Sequence, residues 1–305
     1  MSDGQQIRLW DDNQRALPRA FARSALFRAA NKEARRRISG EIAAADGIRI
    51  EYVGDELRTD DEEILMLILH QLRGRDVGDP EQLYVEMTRH EALRALERPT
   101  DGRYYAELSG SLDRMALGGL KVTYRSPSGK RYKITQSIIR KVAYADEAPE
   151  SGRIRIWLEP EVLQFFLGGS GSEDETFLVA WRERVSLRRP LAKWLHSHLH
   201  ALGLGSRGHV VCSLSMIWKL SGSEASTVKS FRVILQRALE DMLAASVIGT
   251  WSMRRDLLCV TPRGHNGQIC WNAAELNRPT ITYQATDAAD TASGDLDEQG
   301  PNMGP

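Results

Sequence analysis

The sequence predicts an α+β fold, mainly helical, organised as two tandem winged-helix domains. Three observations predict it. At 101–144 a helical stretch, DGRYYAELSGSLDRMALGG, runs into LKVTY, a basic RSPSGKR tip and YKITQSIIRKVAY, which is a helix followed by a two-stranded hairpin. The same order recurs at 223–262. Between the two stands GGSGSEDE, a flexible-linker composition. The boundaries that follow are an N-terminal tail at 1–45, a first winged-helix domain at 46–167, a linker at 168–175, a second winged-helix domain at 176–272, and an acidic, largely disordered tail at 273–305.

Composition narrows the function class. With 305 residues, 42% hydrophobic and 27% charged, the chain can bury two ordinary cores. Cys212, Cys259 and Cys270 are odd in number and lack CxxC spacing, which argues against a disulfide framework or zinc site and fits a reducing, cytoplasmic setting. The N-terminus has no basic-then-apolar leader, and the longest apolar run, ILMLIL at 64–69, is too short to span a bilayer. Formal net charge is zero, from 41 bases and 41 acids. Six acids and one base fall in 273–305, leaving 40 bases against 35 acids, or +5, on the body. A mildly basic body permits nucleic-acid binding without demanding it. No GxxxxGK[ST] sequence is present, and the chain reads as a non-enzyme without a cofactor.

The elements follow in chain order. Gln6, Ile7, Leu9 and Trp10 lie in QIRLW, which reads either as an ordinary tail or as a short motif that orders on docking into a partner's apolar pocket. FARSALFRAANKEARRR, at 21–37, reads either as a solvated basic helix or as a phosphate-contacting arm. IRIEYV alternates and predicts a strand. Thr59 or Asp60 caps a helix carrying Ile64, Leu65, Ile68, Leu69 and Leu72 inward, and its acidic first turn suits the helix dipole. After Gly78-Asp79-Pro80, a short strand at 83–87 leads to Thr88 and Glu91, a capping box, and Pro99 stops that helix. On the 101–115 helix Tyr105, Leu108, Leu112 and Met115 share a face, opposite Arg103, Glu107, Gly110 and Arg114. That mixed charge suits phosphate contact better than base reading. The hairpin tip with Lys130 and Arg131 reads either as a solvated hairpin end or as a wing lying along the backbone or minor groove.

RIRIWL predicts a further strand, and Glu159-Pro160 a helix start. The second half opens with a helical region at 176–185, then a helix striped by Leu191, Trp194, Leu195, Leu199 and Leu202. His196 and His200 share a face of it, but no third metal ligand is evident, so surface or partly packed histidines are expected. Val210 to Cys212 forms a strand, Ser213 caps the next helix and Gly222 ends it. The 223–245 helix turns Val228, Phe231, Leu235, Leu239 and Met242 inward. Outward lie Ser226, Lys229, Ser230, Val233, Gln236 and Arg237, with Arg232 at the flank and no acid before Glu240. Cations, an amide, hydroxyls and methyls on one face are what base edges and phosphates require. Arg254 and Arg255 sit at the second hairpin tip.

Four stretches carry a family resemblance: FARSALFRAANK, YVGDELRTDDEE, DGRYYAELSGSLDRM and the 221–260 segment. In order they resemble the TrfA-type replication initiators of IncP-like plasmids. The resemblance implies binding to direct repeats (iterons) in a plasmid origin, opening of adjacent duplex, and recruitment of the host initiator and replicative helicase, with no catalytic residues. It implies exchange between homodimers and DNA-binding monomers. QIRLW is similar to the family's motif for the host sliding clamp, with Arg8 a departure from its pattern. Two other readings stay open from the residues alone: a tandem winged-helix repressor on an operator, and a metal-dependent nicking enzyme using the histidines.

Overall fold

In the computed structural model the described residues are 6–30, 34–45, 47–125, 131–145, 152–166, 175–206 and 208–264. All of them belong to one unit, Met1–Cys270; the remainder of the chain, including the predicted disordered tail, lies outside the described residues, as do 168–174 of the predicted linker. Helix and strand are of comparable weight, so the fold is mixed α and β and not mainly helical.

The first part opens with strand β1 (Gln14–Pro18), the short helix α1 (Arg19–Ala22) and the two-residue β2 (Phe27–Arg28). The predicted basic helix is therefore absent. Phe21, Leu26 and Phe27 are core residues, and an apolar residue at 21, 26 and 27 does not repeat with a helical period. Strands β3 (Arg37–Ile42) and β4 (Ile48–Asp55) follow, then β5 (Leu57–Arg58) and α2 (Thr59–Leu72). Arg58, not Thr59, is the N-cap, and Asp61 reaches back to accept from the Arg58 N–H at 2.7 Å. Next come β6 (Val85–Thr88), α3 (Arg89–Ala95) and α4 (Gly102–Leu117). Thr88 and Glu91 form the expected capping box, and Asp101 caps α4 through the Arg103 and Tyr104 N–H groups.

The expected hairpin after α4 divides into two. β7 (Gly119–Arg125) and β8 (Arg131–Gln136) join β3 and β4 in a sheet ordered β3-β4-β7-β8. The chain then makes a second hairpin, β9 (Ile139–Tyr144) and β10 (Arg153–Leu158), and β10 pairs with β6 to give β6-β10-β9. α5 (Pro160–Leu163) and a 3-10 turn, Gln164–Phe166, close this part.

Residues 176–185, expected to be helical, begin as a strand: β11 (Thr176–Ala180) pairs antiparallel with β1, and only then does α6 (Trp181–Ser186) form. TFLVA is β-branched and apolar, and its partner lies more than 150 residues away, a pairing that local periodicity does not reveal. α7 (Pro190–Ala201), β12 (Val210–Ser213), α8 (Leu214–Ser221), α9 (Val228–Ala244), β13 (Ile248–Arg254) and β14 (Leu257–Pro262) complete the order, with the sheet β12-β14-β13. β6, α3, α4, β9 and β10 thus repeat as β12, α8, α9, β13 and β14, with the same sheet order.

Two apolar cores result. The first gathers Ile7 through Phe166 with Phe177, Val179 and Trp181; the second runs from Leu187 to Val260 and takes in Ala45. Where they adjoin, the acids of α2 form a buried ionic hub. Arg184, fully buried, donates to Glu62 and, at 3.1 Å, to Glu63. Glu63 also pairs with Arg98 and Lys193, both at 2.7 Å. Burial alone raises a carboxyl, as it does for Glu62; at Glu63 the three cations outweigh burial and hold the group at about 2. Removing one partner from such a hub strands a charge in the interior.

Candidate nucleic-acid interface

The second repeat is assembled around Asp256. Its carbonyl accepts from Leu214 N at 2.8 Å, and its carboxylate takes the hydroxyls of Ser213 at 2.6 Å and Ser215 at 2.9 Å. The turn after β13 is thereby locked to the N-terminus of α8, where a negative charge is favoured. α8 ends at Gly222 in the left-handed region, φ +61°, and a Cβ there would lie 2.7 Å from Arg28 Nε. Glycine is required both for that backbone and for the space. Arg28 in turn donates to the Gly222 carbonyl at 2.7 Å.

Helix α9 begins later than expected. Thr227 is its N-cap, accepting from Ser230 N at 3.1 Å, while Ser230 Oγ returns to the Thr227 carbonyl at 2.8 Å. Ser226 therefore precedes the helix, and Ser230 is occupied by the cap. Phe231, Leu235, Leu239 and Met242 face the core as predicted, joined by Ala238; Val228 does not, since the first turn overhangs the core edge and leaves it exposed. Outward are Lys229, Val233 and Arg237, all exposed, with Gln236 half-buried. Among the described residues neither Lys229 nor Arg237 has an ion-pair partner. Arg232 donates to the Arg255 carbonyl, tying the helix flank to the hairpin tip, where Arg254 and Arg255 are exposed and Arg255 is left-handed at φ +51°. Five cations thus surround one helix face, and the nearest tip acid, Asp256, is held by hydroxyls.

The first repeat differs. Arg103 is exposed but paired with Glu107 at 2.9 Å, one helical turn on. Arg114 does not share that outward face: it turns inward and meets Asp61 at 2.7 Å. Asp61, fully buried, also accepts from Ser111 and from Arg35 at 2.6 Å. A guanidinium committed to a buried carboxylate is not available to phosphate, which removes Arg114 from the candidate contacts. The 126–130 tip, with Lys130, lies outside the described residues, as does the side chain of Arg131. The arginines expected in a basic arm are likewise engaged: Arg28 with Glu56 at 2.8 Å, Arg35 with Asp60 at 2.6 Å, and Arg36 with Glu224.

Gln6, Ile7, Leu9 and Trp10 are not a loose tail. Gln6 donates to the Gly74 carbonyl, Ile7 N donates to the Arg75 carbonyl at 2.9 Å, and Arg8 N to that of Phe166 at 2.9 Å. Ile7 and Trp10 are core residues; Trp10 donates to His70 at 3.2 Å and packs on Phe166, while Leu9 stays 77% exposed. Burial, with Arg15 and Arg73 nearby, lowers His70 to about 4, so it is neutral and able to accept that bond.

Two groups of residues escaped the sequence reading. The α2 acids are ionic-hub partners and not only dipole partners; the cluster of acids at 56–63, running into an otherwise apolar helix, was the available signal. The histidines are also more deeply placed than expected: His196 and His198 are buried, and Glu183 joins His196 and His200 as a third ligand-type group.

The family described as TrfA protein matches residues 4–259. The plasmid replication initiator protein TrfA of Escherichia coli is 23% identical over 243 residues, covering 78% of this chain and 59% of that protein, so the chain spans less than two thirds of that relative. Among solved structures, the Pi initiator protein in complex with iteron DNA superposes with a TM-score of 0.56 at 10% identity, covering 83% of this chain and 99% of that one. Domains 2 and 3 of RctB give a TM-score of 0.48 at 14% identity, covering 77% and 95%. The Pi likeness is one of fold. The family match, which takes in both helix–helix–hairpin repeats, makes this chain a member of the TrfA protein family.

Proposed function

We propose that the chain is a plasmid replication initiator that binds iteron repeats of its origin through two winged-helix units. It is not an enzyme: binding energy and partners, not nucleotide hydrolysis, drive opening of the neighbouring duplex. The observation that carries this reading is the outward face of α9, where Lys229, Val233, Gln236 and Arg237 offer cation, methyl and amide groups with no acid before Glu240. Arg254 and Arg255 on the adjoining hairpin then lie along the phosphates. The relatives' names support the same reading: one is a plasmid replication initiator, and another initiator is held on iteron DNA. On tandem repeats, bending by successive copies strains the adjacent duplex.

Host initiator, replicative helicase and sliding clamp are the proposed partners, and exchange with a homodimer sets the pool of binding-competent chains. The clamp contact carries a structural condition. Ile7 and Trp10 must leave the core before they can dock elsewhere, so this motif acts only if 6–10 detaches.

A hydroxyl-radical footprint on the plasmid's own origin tests the proposal. Protection repeating on one face of a direct-repeat array is expected. Protection of a single palindrome would favour an operator-binding repressor instead.

A further inference from the structure

Helix α7 presents His196 and His200 on one face, and α6 brings Glu183 to the same place. One ligand-type atom from each lies within 4.8 Å of the others, and His196 Nε2 is 3.6 Å from Glu183 Oε2. Tetrahedral zinc with bonds of about 2.1 Å separates its ligands by about 3.4 Å. The three groups are therefore wider than a tetrahedral zinc requires by no more than about 1.4 Å.

A second observation points into the same space. His196 is fully buried, yet neither ring nitrogen has a hydrogen-bond partner among the described residues. A buried polar group without a partner is costly, and native interiors keep few of them. His198, two residues on, differs in that its Nδ1 is 3.0 Å from the Ala22 carbonyl, so only its Nε2 lacks a partner among the described residues. The neighbouring Arg184 charge is balanced by Glu62 and Glu63, while the Glu183 carboxylate faces His196 and lies within electrostatic reach of His200 and Arg263.

We propose that Glu183, His196 and His200 form a binding site for a divalent transition-metal ion, with zinc the best match. Two imidazoles and one carboxylate are the donor set that zinc, cobalt and nickel share, and that magnesium and calcium disfavour. Three protein ligands leave a fourth position for water, reached from the side where Glu183 is 30% exposed. The ion pins α6 to α7 one residue from Arg184, which joins the two cores, so its expected effect is on stability.

The test uses tag-free, metal-stripped full chain titrated with cobalt(II) alone, followed by zinc. One equivalent with a tetrahedral or five-coordinate visible spectrum free of thiolate charge-transfer bands, displaced by zinc, is expected. Zinc should also raise the melting temperature. Glu183→Gln should weaken cobalt binding by at least about tenfold and abolish the zinc-dependent rise. His200→Gln should do the same, with circular dichroism confirming its fold. Unchanged affinity in Glu183→Gln, a thiolate band that places the ion on a cysteine, or no binding to the wild-type chain would each overturn the assignment.

Discussion

The two helix–helix–hairpin repeats share sheet order, β6-β10-β9 and β12-β14-β13, but use their second helices for different ends. In the first, α4 spends its cations internally: Arg103 on Glu107, and Arg114 on the buried Asp61. In the second, α9 leaves Lys229 and Arg237 open and directs Arg232 to the hairpin tip. A common topology therefore does not confer a common surface. The inserted β7–β8 hairpin adds to this asymmetry, because it ties the first repeat into the β3-β4-β7-β8 sheet. The second helix of the first repeat has its cations paired, and that of the second repeat leaves Lys229 and Arg237 exposed.

The largest expected effect probes what joins the repeats. Arg184→Met should destabilise the chain by about 3–5 kcal/mol, because it strands the buried Glu62 and leaves Glu63 to Arg98 and Lys193 alone. Urea unfolding should remain one transition at lower midpoint; separation into two transitions would mean that the cores are joined elsewhere. The next effect is acid sensitivity on both sides of that junction. Burial lowers His70 and His198 to about 4, with Arg15 and Arg73 adding to the effect at His70. Unfolded histidine protonates near 6.5, so between about 6.5 and about 4 the unfolded chain binds more protons. Stability should fall through that window as pH drops, on the order of 2 kcal/mol per histidine by pH 5, and His70→Gln should make the profile shallower. A flat wild-type profile would contradict neutral burial.

Arg232→Ala removes the bond from α9 to the Arg255 carbonyl and should cost about 1 kcal/mol. Its sharper readout is amide exchange: the 254–257 tip should open faster while α4 is unaffected. The smallest effect belongs to the first repeat's surface. Arg103→Ala should change stability by less than about 0.5 kcal/mol, as exposed pairs do. A large loss would show that α4 contributes more than the comparison allows.

Local signals in the sequence were legible where physics is local. The Thr88–Glu91 box, the Ser213 cap, the Gly222 stop, the α9 stripe and the last hairpin all rest on contacts within a few residues. What was not legible depends on distant partners. Nothing in TFLVA names β1 as its mate, and nothing in RIRIWL shows that it would pair with both β6 and β9. The arginines of 28–36 read as a solvated helix or a phosphate-contacting arm, and the acids of the α2 first turn as dipole partners, because each finds its counter-ion on another segment. Arg114 followed the same rule: helical periodicity placed it outward, but a buried carboxylate on α2 drew it in. For the candidate interface, the exposure of Lys229 and Arg237 on α9 was legible in the helical period, but Ser230, consumed by its cap, could not be separated from residues left open.

The claim that the second repeat selects the DNA is tested most directly by a specificity ratio. Affinity for an origin direct repeat and for a scrambled duplex should be titrated at one fixed salt concentration, for the wild type, for Lys229→Ala with Arg237→Ala, and for Arg103→Ala. The double variant should lose about 100-fold on the repeat and much less on the scrambled duplex, collapsing the ratio, while Arg103→Ala keeps the wild-type ratio. An unchanged ratio in the double variant, or a collapse in Arg103→Ala, would place the choice of sequence outside α9.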